Sequence, residues 1–129
     1  MNIELRVDHL LKIRYQIIEG QLNLNDLISY LDKMNDEHKQ DFDMNVCWNL
    51  ENAEISNVDI SDIEKLVSKV IKDWKSDNTK KLAIVVSSKL KFGMTRIYQT
   101  LLDIENVSTV KIFNDAKEAV EWLTRSELT

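Results

Sequence analysis

The clearest strand-to-helix transition in the chain is Lys81-Leu-Ala-Ile-Val-Val-Ser-Ser-Lys-Leu-Lys-Phe-Gly-Met-Thr-Arg-Ile-Tyr98. Its first part, Leu82 to Val86, is a short apolar run rich in β-branched residues, which is typical of a strand buried on both faces. After Ser87-Ser88 and a basic turn, apolar residues recur at helical spacing from Met94. A strand that leads directly into a helix, in a chain that repeats such units, predicts an α/β sheet.

The length and composition predict one globular domain over residues 1–129. Apolar residues make up 43% of the chain and charged residues 30%, which is ordinary for such a domain. No apolar run approaches the roughly 20 residues that cross a membrane, and the N-terminal segment lacks the layout of a signal peptide. Together with the single cysteine, these features predict a cytoplasmic protein.

The charge is unevenly distributed along the chain. The formal net charge of −5 disfavours a nucleic-acid binder. Residues 78–102 nevertheless contain five cations and no carboxylate, so the rest of the chain carries −10 (−5 minus +5). The five cations are Lys80, Lys81, Lys89, Lys91 and Arg96.

The first half of the chain predicts a hairpin, a helix and a strand. Alternating apolar residues predict strands over Ile3–Val7 and Leu11–Ile17, joined by a turn at Asp8-His9 and ended by Gly20. Asn23 is a candidate N-cap for an amphipathic helix over 24–34. A polar loop over 35–43 and a third strand over 44–50 follow; the two asparagines on one face of that strand need hydrogen-bond partners.

The second half predicts three βα units. Ser61-Asp-Ile-Glu64 is a capping box that opens a helix extending to Trp74. The strand at 82–86 leads into a helix over about 92–105, and a last strand over 107–113 precedes a second capping box, Asp115-Ala-Lys-Glu118. The order ββαβαβαβα predicts a mixed, mostly parallel five-stranded sheet flanked by four helices.

This order resembles the SpoIIAA-like family of small bacterial domains, which is related to STAS (anti-sigma-factor antagonist) domains and similar in shape to CRAL-TRIO lipid-binding domains. The resemblance is carried by residues 20–26, 81–86 and 110–123 and, most specifically, by Phe92-Gly-Met-Thr-Arg-Ile-Tyr98. It implies the fold but no established activity. STAS antagonists carry a phosphorylatable serine in an Asp-Ser-Ser/Thr-Gly segment. Here the matching segment is Asp59-Ile-Ser-Asp-Ile63, in which one serine is replaced by Ile60 and no glycine follows.

Ser61 therefore has two interpretations. As a phosphosite, it would place about two negative charges at a helix N-terminus, where the helix dipole favours them. As an N-cap, it needs no further role, because its pairing with Glu64 completes a capping box.

The turn after Val86 is the main candidate ligand site. Serine hydroxyls, the free amides of a helix N-terminus and flanking cations together favour an anion, and Gly93 permits close approach. The predicted ligand-binding residues are Ser87, Ser88, Lys89, Lys91, Phe92, Gly93, Arg96 and Tyr98.

The same residues also have structural interpretations. The lysines are then solvated and Arg96 pairs with a carboxylate such as Asp103 or Glu51. The aromatic rings of Phe92 and Tyr98 then belong to the core instead of an apolar pocket. Lys80 and Lys81 are excluded from the site because they precede the strand.

Nothing in the sequence predicts catalysis, a cofactor or a metal. Cys47 lies mid-strand, His9 and His38 are scattered, and no nucleophile elbow, Walker loop or dinucleotide fingerprint occurs. Trp122 lies off the main helix stripe, so it either marks a homodimer contact or packs under a loop.

Two hypotheses follow. The first is a non-enzymatic module that binds a small anionic or amphipathic, lipid-like ligand at the end of the fourth predicted strand. The second is a STAS-type regulator that binds a protein partner through the second helix and Ser61.

Overall fold

A computed structural model describes residues 2–21, 23–37, 44–54, 60–75, 80–86 and 109–125. These residues form six strands and three helices. In chain order they are β1 (Asn2–Asp8), β2 (Ile13–Gln21), α1 (Leu24–Glu37), β3 (Asn45–Leu50), β4 (Ala53–Glu54), α2 (Ile60–Lys75), β5 (Leu82–Val86), β6 (Val110–Phe113) and α3 (Ala116–Thr124).

The strands form one mixed sheet in the order β1-β2-β3-β5-β6. β1 and β2 are antiparallel, whereas β2 with β3, β3 with β5 and β5 with β6 are parallel. The predicted α/β class and the mixed, mostly parallel sheet are therefore confirmed. The predicted number of strands was wrong, because β4 pairs with the end of β2 as a sixth strand.

The sheet is covered on both faces. On one face, α1 and α2 pack on the first core cluster, which includes Leu31, Trp48 and Val70. On the other face, α3 packs on the second cluster, which includes Cys47 and Leu123. The two clusters lie on opposite faces of the sheet, so the apolar residues of a central strand alternate between them.

β5 is the most deeply buried of the described elements. All five of its residues, Leu82 to Val86, are fully buried. They alternate between the two clusters: Leu82, Ile84 and Val86 belong to the first, and Ala83 and Val85 to the second. The prediction of a strand buried on both faces over 82–86 is confirmed.

The hairpin is confirmed, but its second strand lies further along the chain than predicted. β2 begins at Ile13 instead of Leu11. The backbone N–H of Leu11 donates to Asp8 Oδ1 at 2.9 Å, and Lys12 has a φ of 55°, so both residues belong to the turn. Leu10 in this turn is 92% exposed.

Gly20 does not end β2, which is a second correction. Its φ of 82° lies in the region that glycine adopts without strain, and the strand continues to Gln21. Gly20 pairs with Ala53 of β4, and its N–H donates to the Asn52 carbonyl at 3.1 Å. The positive φ therefore turns the strand toward β4 instead of stopping it. A two-residue strand is too short for apolar periodicity to predict.

The helix starts agree with two of the three predicted caps. Asn23 Oδ1 accepts from the Asp26 N–H at 3.1 Å at the start of α1. Asp115 Oδ1 accepts from the Lys117 N–H at 2.8 Å at the start of α3. α2 begins at Ile60, one residue before Ser61, so Ser61 lies inside the first turn and not at the predicted N-cap.

Other boundaries differ by a few residues. α1 extends to Glu37, so the predicted loop over 35–43 begins later; residues 38–43 lie outside the described residues. Thr109 is in a turn, and β6 begins at Val110 instead of residue 107. The predicted helix over 92–105 lies outside the described residues, which contain three of the four predicted helices. No helix among the described residues is long and apolar enough to cross a membrane.

Candidate functional site

The eight predicted ligand-binding residues fall in 87–98, which lie outside the described residues. The structure describes the strand that leads to them. β5 ends with Val86 at the carboxyl edge of the sheet, and Ser87 follows it in the sequence. Leu50 of β3 pairs with Val86, and Phe113 of β6 pairs with Val85. The chain therefore leaves β5 between the ends of two parallel neighbours.

This edge of the sheet is acidic in the described part of the chain. Glu51 directly follows β3, and Asp115 lies two residues after β6. The exposed carboxylates at this edge are Glu19, Glu51, Glu54 and Asp115. A site for an anion here must overcome their repulsion with cations from the basic turn.

Among the described strands, the strand order provides no additional crevice for a ligand. Many α/β proteins bind ligands where the strand order reverses, because the two loops then diverge. Here the parallel strands run β2, β3, β5, β6 in one direction without a reversal. The support for a site at this edge therefore rests on the end of β5 and on the charge of the turn.

Lys81 lies at the opposite end of β5, as predicted. The sequence did not predict its hydrogen bonds. Its Nζ donates to the carbonyl oxygens of Trp122 and Arg125, both at 3.2 Å, and lies 5.2 Å from the centroid of the Trp122 ring. These carbonyls end α3, where the helix dipole favours a cation.

The two asparagines of β3 have the partners that their position required. Asn45 Nδ2 donates to the Leu123 carbonyl at 2.9 Å, and Asn45 Oδ1 accepts from the Lys81 N–H at 2.9 Å. Asn49 Oδ1 accepts from the Glu51 N–H at 3.0 Å. Asn45 and Lys81 together attach the amino ends of β3 and β5 to the end of α3.

Ser61 is the one predicted site residue among the described residues. It is exposed in the first turn of α2, next to half-buried Asp62. An exposed hydroxyl at this position is accessible to a modifying enzyme, and a phosphate there would face the positive end of the helix dipole.

Cys47 is unsuited to nucleophilic chemistry. Its side chain is 2% exposed within the second core cluster. Burial raises the pKa of the Cys47 thiol to about 11, and the negative charge of Glu51 adds to the rise. Because the thiolate is the reactive form, this thiol is inert at neutral pH.

A groove of about 470 Å³ lies at the β1–β2 hairpin. Its lining residues are Arg6, Val7, Asp8, His9, Tyr15 and Ile17. Burial raises the pKa of Tyr15, and Cys47 and Asp8 add to the rise, so the phenol stays a neutral hydrogen-bond donor. Sequence analysis did not predict this groove, because its residues have no motif spacing.

Two buried polar side chains under α1 were also missed. Arg14 is 5% exposed and Gln16 is 1% exposed, although both lie at the polar positions of an alternating strand. Burial raises the pKa of Tyr30 on α1, and the positive charge of Arg14 opposes that rise. The strand order could have predicted their burial. When the second strand of a hairpin is followed by a crossover to a parallel strand, it gains a neighbour on each side and lies inside the sheet, where helices can cover both of its faces.

The comparisons with known proteins assign neither a family nor a function to the chain. No protein-family model matches the chain. No curated protein matches it either. Among the described residues, no group of three or more His, Cys, Asp or Glu side chains is arranged to hold a metal ion.

Proposed function

We propose that this protein is a non-enzymatic cytoplasmic module of SpoIIAA-like type that binds a small anionic or amphipathic ligand where β5 ends. The observation that supports this most is the position of β5, which is fully buried at the centre of three parallel strands and ends at the carboxyl edge. Ligands of α/β proteins bind at such an edge. Ser87, Ser88 and the three cations of the turn follow directly in the chain.

The neighbouring acids make the proposal specific. Glu51 is the carboxylate that directly follows Leu50, which pairs with Val86 at the end of β5. It weakens the binding of an anion at this turn, and Arg96 provides the opposing charge. The two residues must therefore have opposite effects on affinity.

Ligand-dependent thermal stability tests this proposal with fatty acids, phospholipid vesicles and phosphate esters as separate probes. We expect at least one probe to raise the melting temperature, Arg96→Ala to abolish the rise and Glu51→Gln to tighten binding by about two- to fivefold. Arg125→Ala, at an exposed arginine after α3, is the matched control. The proposal is wrong if no probe stabilises the protein or if Arg96→Ala behaves like Arg125→Ala.

A second candidate function is a STAS-type interaction regulator that works through α2. It is favoured by the exposure of Ser61 in the first turn of that helix. Phosphorylation would add charge at the end of an accessible helix face, which a partner could distinguish.

Affinity capture with Ser61→Ala and Ser61→Asp separates this candidate from ligand binding. The regulator proposal requires the two variants to capture different proteins. Ser68→Ala and Ser68→Asp are the control pair, because Ser68 is an exposed serine further along the same helix. Identical captures from all four variants would rule the switch out.

A further inference from the structure

β1 is a long strand at the edge of the sheet. It spans Asn2 to Asp8 and, within the described part of the chain, pairs only with β2. A strand with one neighbour presents a row of backbone N–H and C=O groups on its other side. Such a row is a template for a further strand.

β1 lacks a proline and a bulge, two of the usual protections of an edge strand, and its exposed charges, Glu4 and Arg6, are of opposite sign. It has seven residues, no proline and an uninterrupted register with β2, so no bulge twists it away. Its apolar side chains, Ile3, Leu5 and Val7, are all half-buried instead of buried. β6, at the other end of the sheet, has four residues and carries the exposed Lys111, both of which discourage pairing.

The sequence of β1 is complementary to itself in antiparallel orientation. If two copies pair about Leu5, Glu4 lies opposite Arg6 of the other strand, and the same contact repeats across the axis. Asn2 then lies opposite Asp8, and Ile3 opposite Val7. Every polar pair is complementary, and every apolar residue meets an apolar residue on the same face.

The neighbouring registers are unfavourable. A shift that centres the pair on Glu4 places the two Glu4 carboxylates opposite each other, and a shift that centres it on Arg6 does the same for the two guanidinium groups. A one-residue slip of one strand would bring apolar side chains against polar ones. The charges and the alternation of apolar and polar residues therefore both favour the register centred on Leu5.

We propose that two copies of this chain form a symmetric dimer by pairing β1 with β1 about a twofold axis at Leu5. Glu4 and Arg6 are both exposed, and Arg6 Nε lies 2.8 Å from Glu4 Oε1 within one strand. In the dimer these four charges form one alternating group across the axis. Trp122, the sequence-based candidate for a homodimer contact, packs against Phe113 with ring centroids 5.6 Å apart and ring planes tilted by 49°, and the proposed interface does not include it.

The test uses charge reversal on the full chain, with the dimer dissociation constant measured by sedimentation from micromolar to millimolar concentration. Glu4→Arg and Arg6→Glu each place like charges opposite each other twice, and we expect each to weaken the dimer about tenfold. An equimolar mixture of the two variants restores both attractive pairs and should dimerise as the wild type does. The double variant Glu4→Arg/Arg6→Glu should also recover. Glu64→Arg and Arg125→Glu reverse exposed charges elsewhere and should change nothing.

Far-UV circular dichroism checks that each variant is folded before mixing. Amide hydrogen exchange of the wild type is a second measurement that needs no variant: the β1 amides that point away from β2 should gain protection as the concentration rises. A wild type that is monomeric throughout, or a mixture of variants that fails to recover, overturns the proposal. So does β1 protection that is independent of concentration.

Discussion

Three carbonyl oxygens at the end of α3 accept hydrogen bonds from only two side chains, Lys81 and Asn45. The last carbonyls of a helix have no partner within the helix, so a buried helix end needs donors from elsewhere. Lys81 provides them from the start of β5, with a side chain that is largely shielded from water. One lysine thus joins the central strand to the last described helix.

We therefore expect Lys81→Met, which keeps the apolar stem, to lower the free energy of unfolding by about 1–3 kcal/mol. Lys111→Met is the matched control: its Nζ also lies over an aromatic ring, 5.5 Å from the Phe113 centroid, but Lys111 is exposed. The control should lose less than about 1 kcal/mol. Urea unfolding measures both, and equal losses would contradict a role for the helix carbonyls.

Cys47 gives a second prediction at the level of one residue. With its pKa raised from 9.0 to about 11, the folded protein holds about a hundredfold less thiolate at pH 8 than an unperturbed cysteine does. A thiol reagent should therefore react at least about a hundredfold more slowly with the folded protein than with the urea-unfolded chain. Reaction at similar rates would show that the thiol is accessible.

The same shift gives a pH dependence of stability. A folded-state pKa above the unfolded value contributes stability that is present below pH 9 and is lost as the pH rises toward about 11. The stability difference between the wild type and Cys47→Ala should therefore shrink between these two pH values. Urea unfolding of both proteins across this pH range measures it, and a constant difference would contradict the raised pKa.

At the scale of elements, Gly20 determines the direction in which the end of β2 continues and therefore its pairing with β4. A Cβ added at Gly20 would meet no atom within 4 Å, so a substitution there is limited by backbone conformation alone. At a φ of 82°, we expect Gly20→Ala to cost about 1–2 kcal/mol of unfolding free energy. Gly20→Asn should cost less, because asparagine tolerates positive φ. Equal stability of the wild type and the alanine variant would contradict the backbone strain expected at this φ.

The elements that sequence analysis predicted well are those with a strong local signal. The run Leu82–Val86 and the caps Asn23 and Asp115 each carry their information within a few residues. β4 and the extension of β2 depend instead on a contact between Gly20 and Ala53, which are far apart in sequence. Long-range pairing of this kind has no local pattern to read.

The sequence predicted where the candidate site lies, but not which charged residues surround it. The sequence identified the carboxyl end of β5, but not the acids that flank it, because only the order of the sheet places Glu51 and Asp115 on either side of β5. The burial of Arg14 and Gln16 was missed for the same reason. The alternation of apolar and polar residues predicts a solvent-exposed face, but the crossover to β3 covers that face.

At the scale of the whole molecule, β5 makes the two core clusters depend on each other. Its residues contribute alternately to both, so neither helix layer can be lost without exposing the central strand. We expect one cooperative unfolding transition. Trp48 belongs to the first cluster, and Trp122 packs on the second.

Single-tryptophan variants test this cooperativity. One variant keeps only Trp48 and the other only Trp122, with phenylalanine at the remaining tryptophans. In each variant, the urea midpoint from fluorescence should equal the midpoint from far-UV circular dichroism. A fluorescence midpoint that precedes the circular dichroism midpoint in either variant would show that one face of the sheet opens independently.

The unreversed order of the parallel strands also bears on how the protein is made. Each of these strands, as it leaves the ribosome, finds the strand beside it already synthesised, so the sheet can grow outward from the hairpin. The final step must wait for residues 122–125, whose carbonyls receive Lys81 and Asn45. Of the described elements, a nascent chain stopped before that point would contain every strand but would lack the complete helix that packs on the second core cluster.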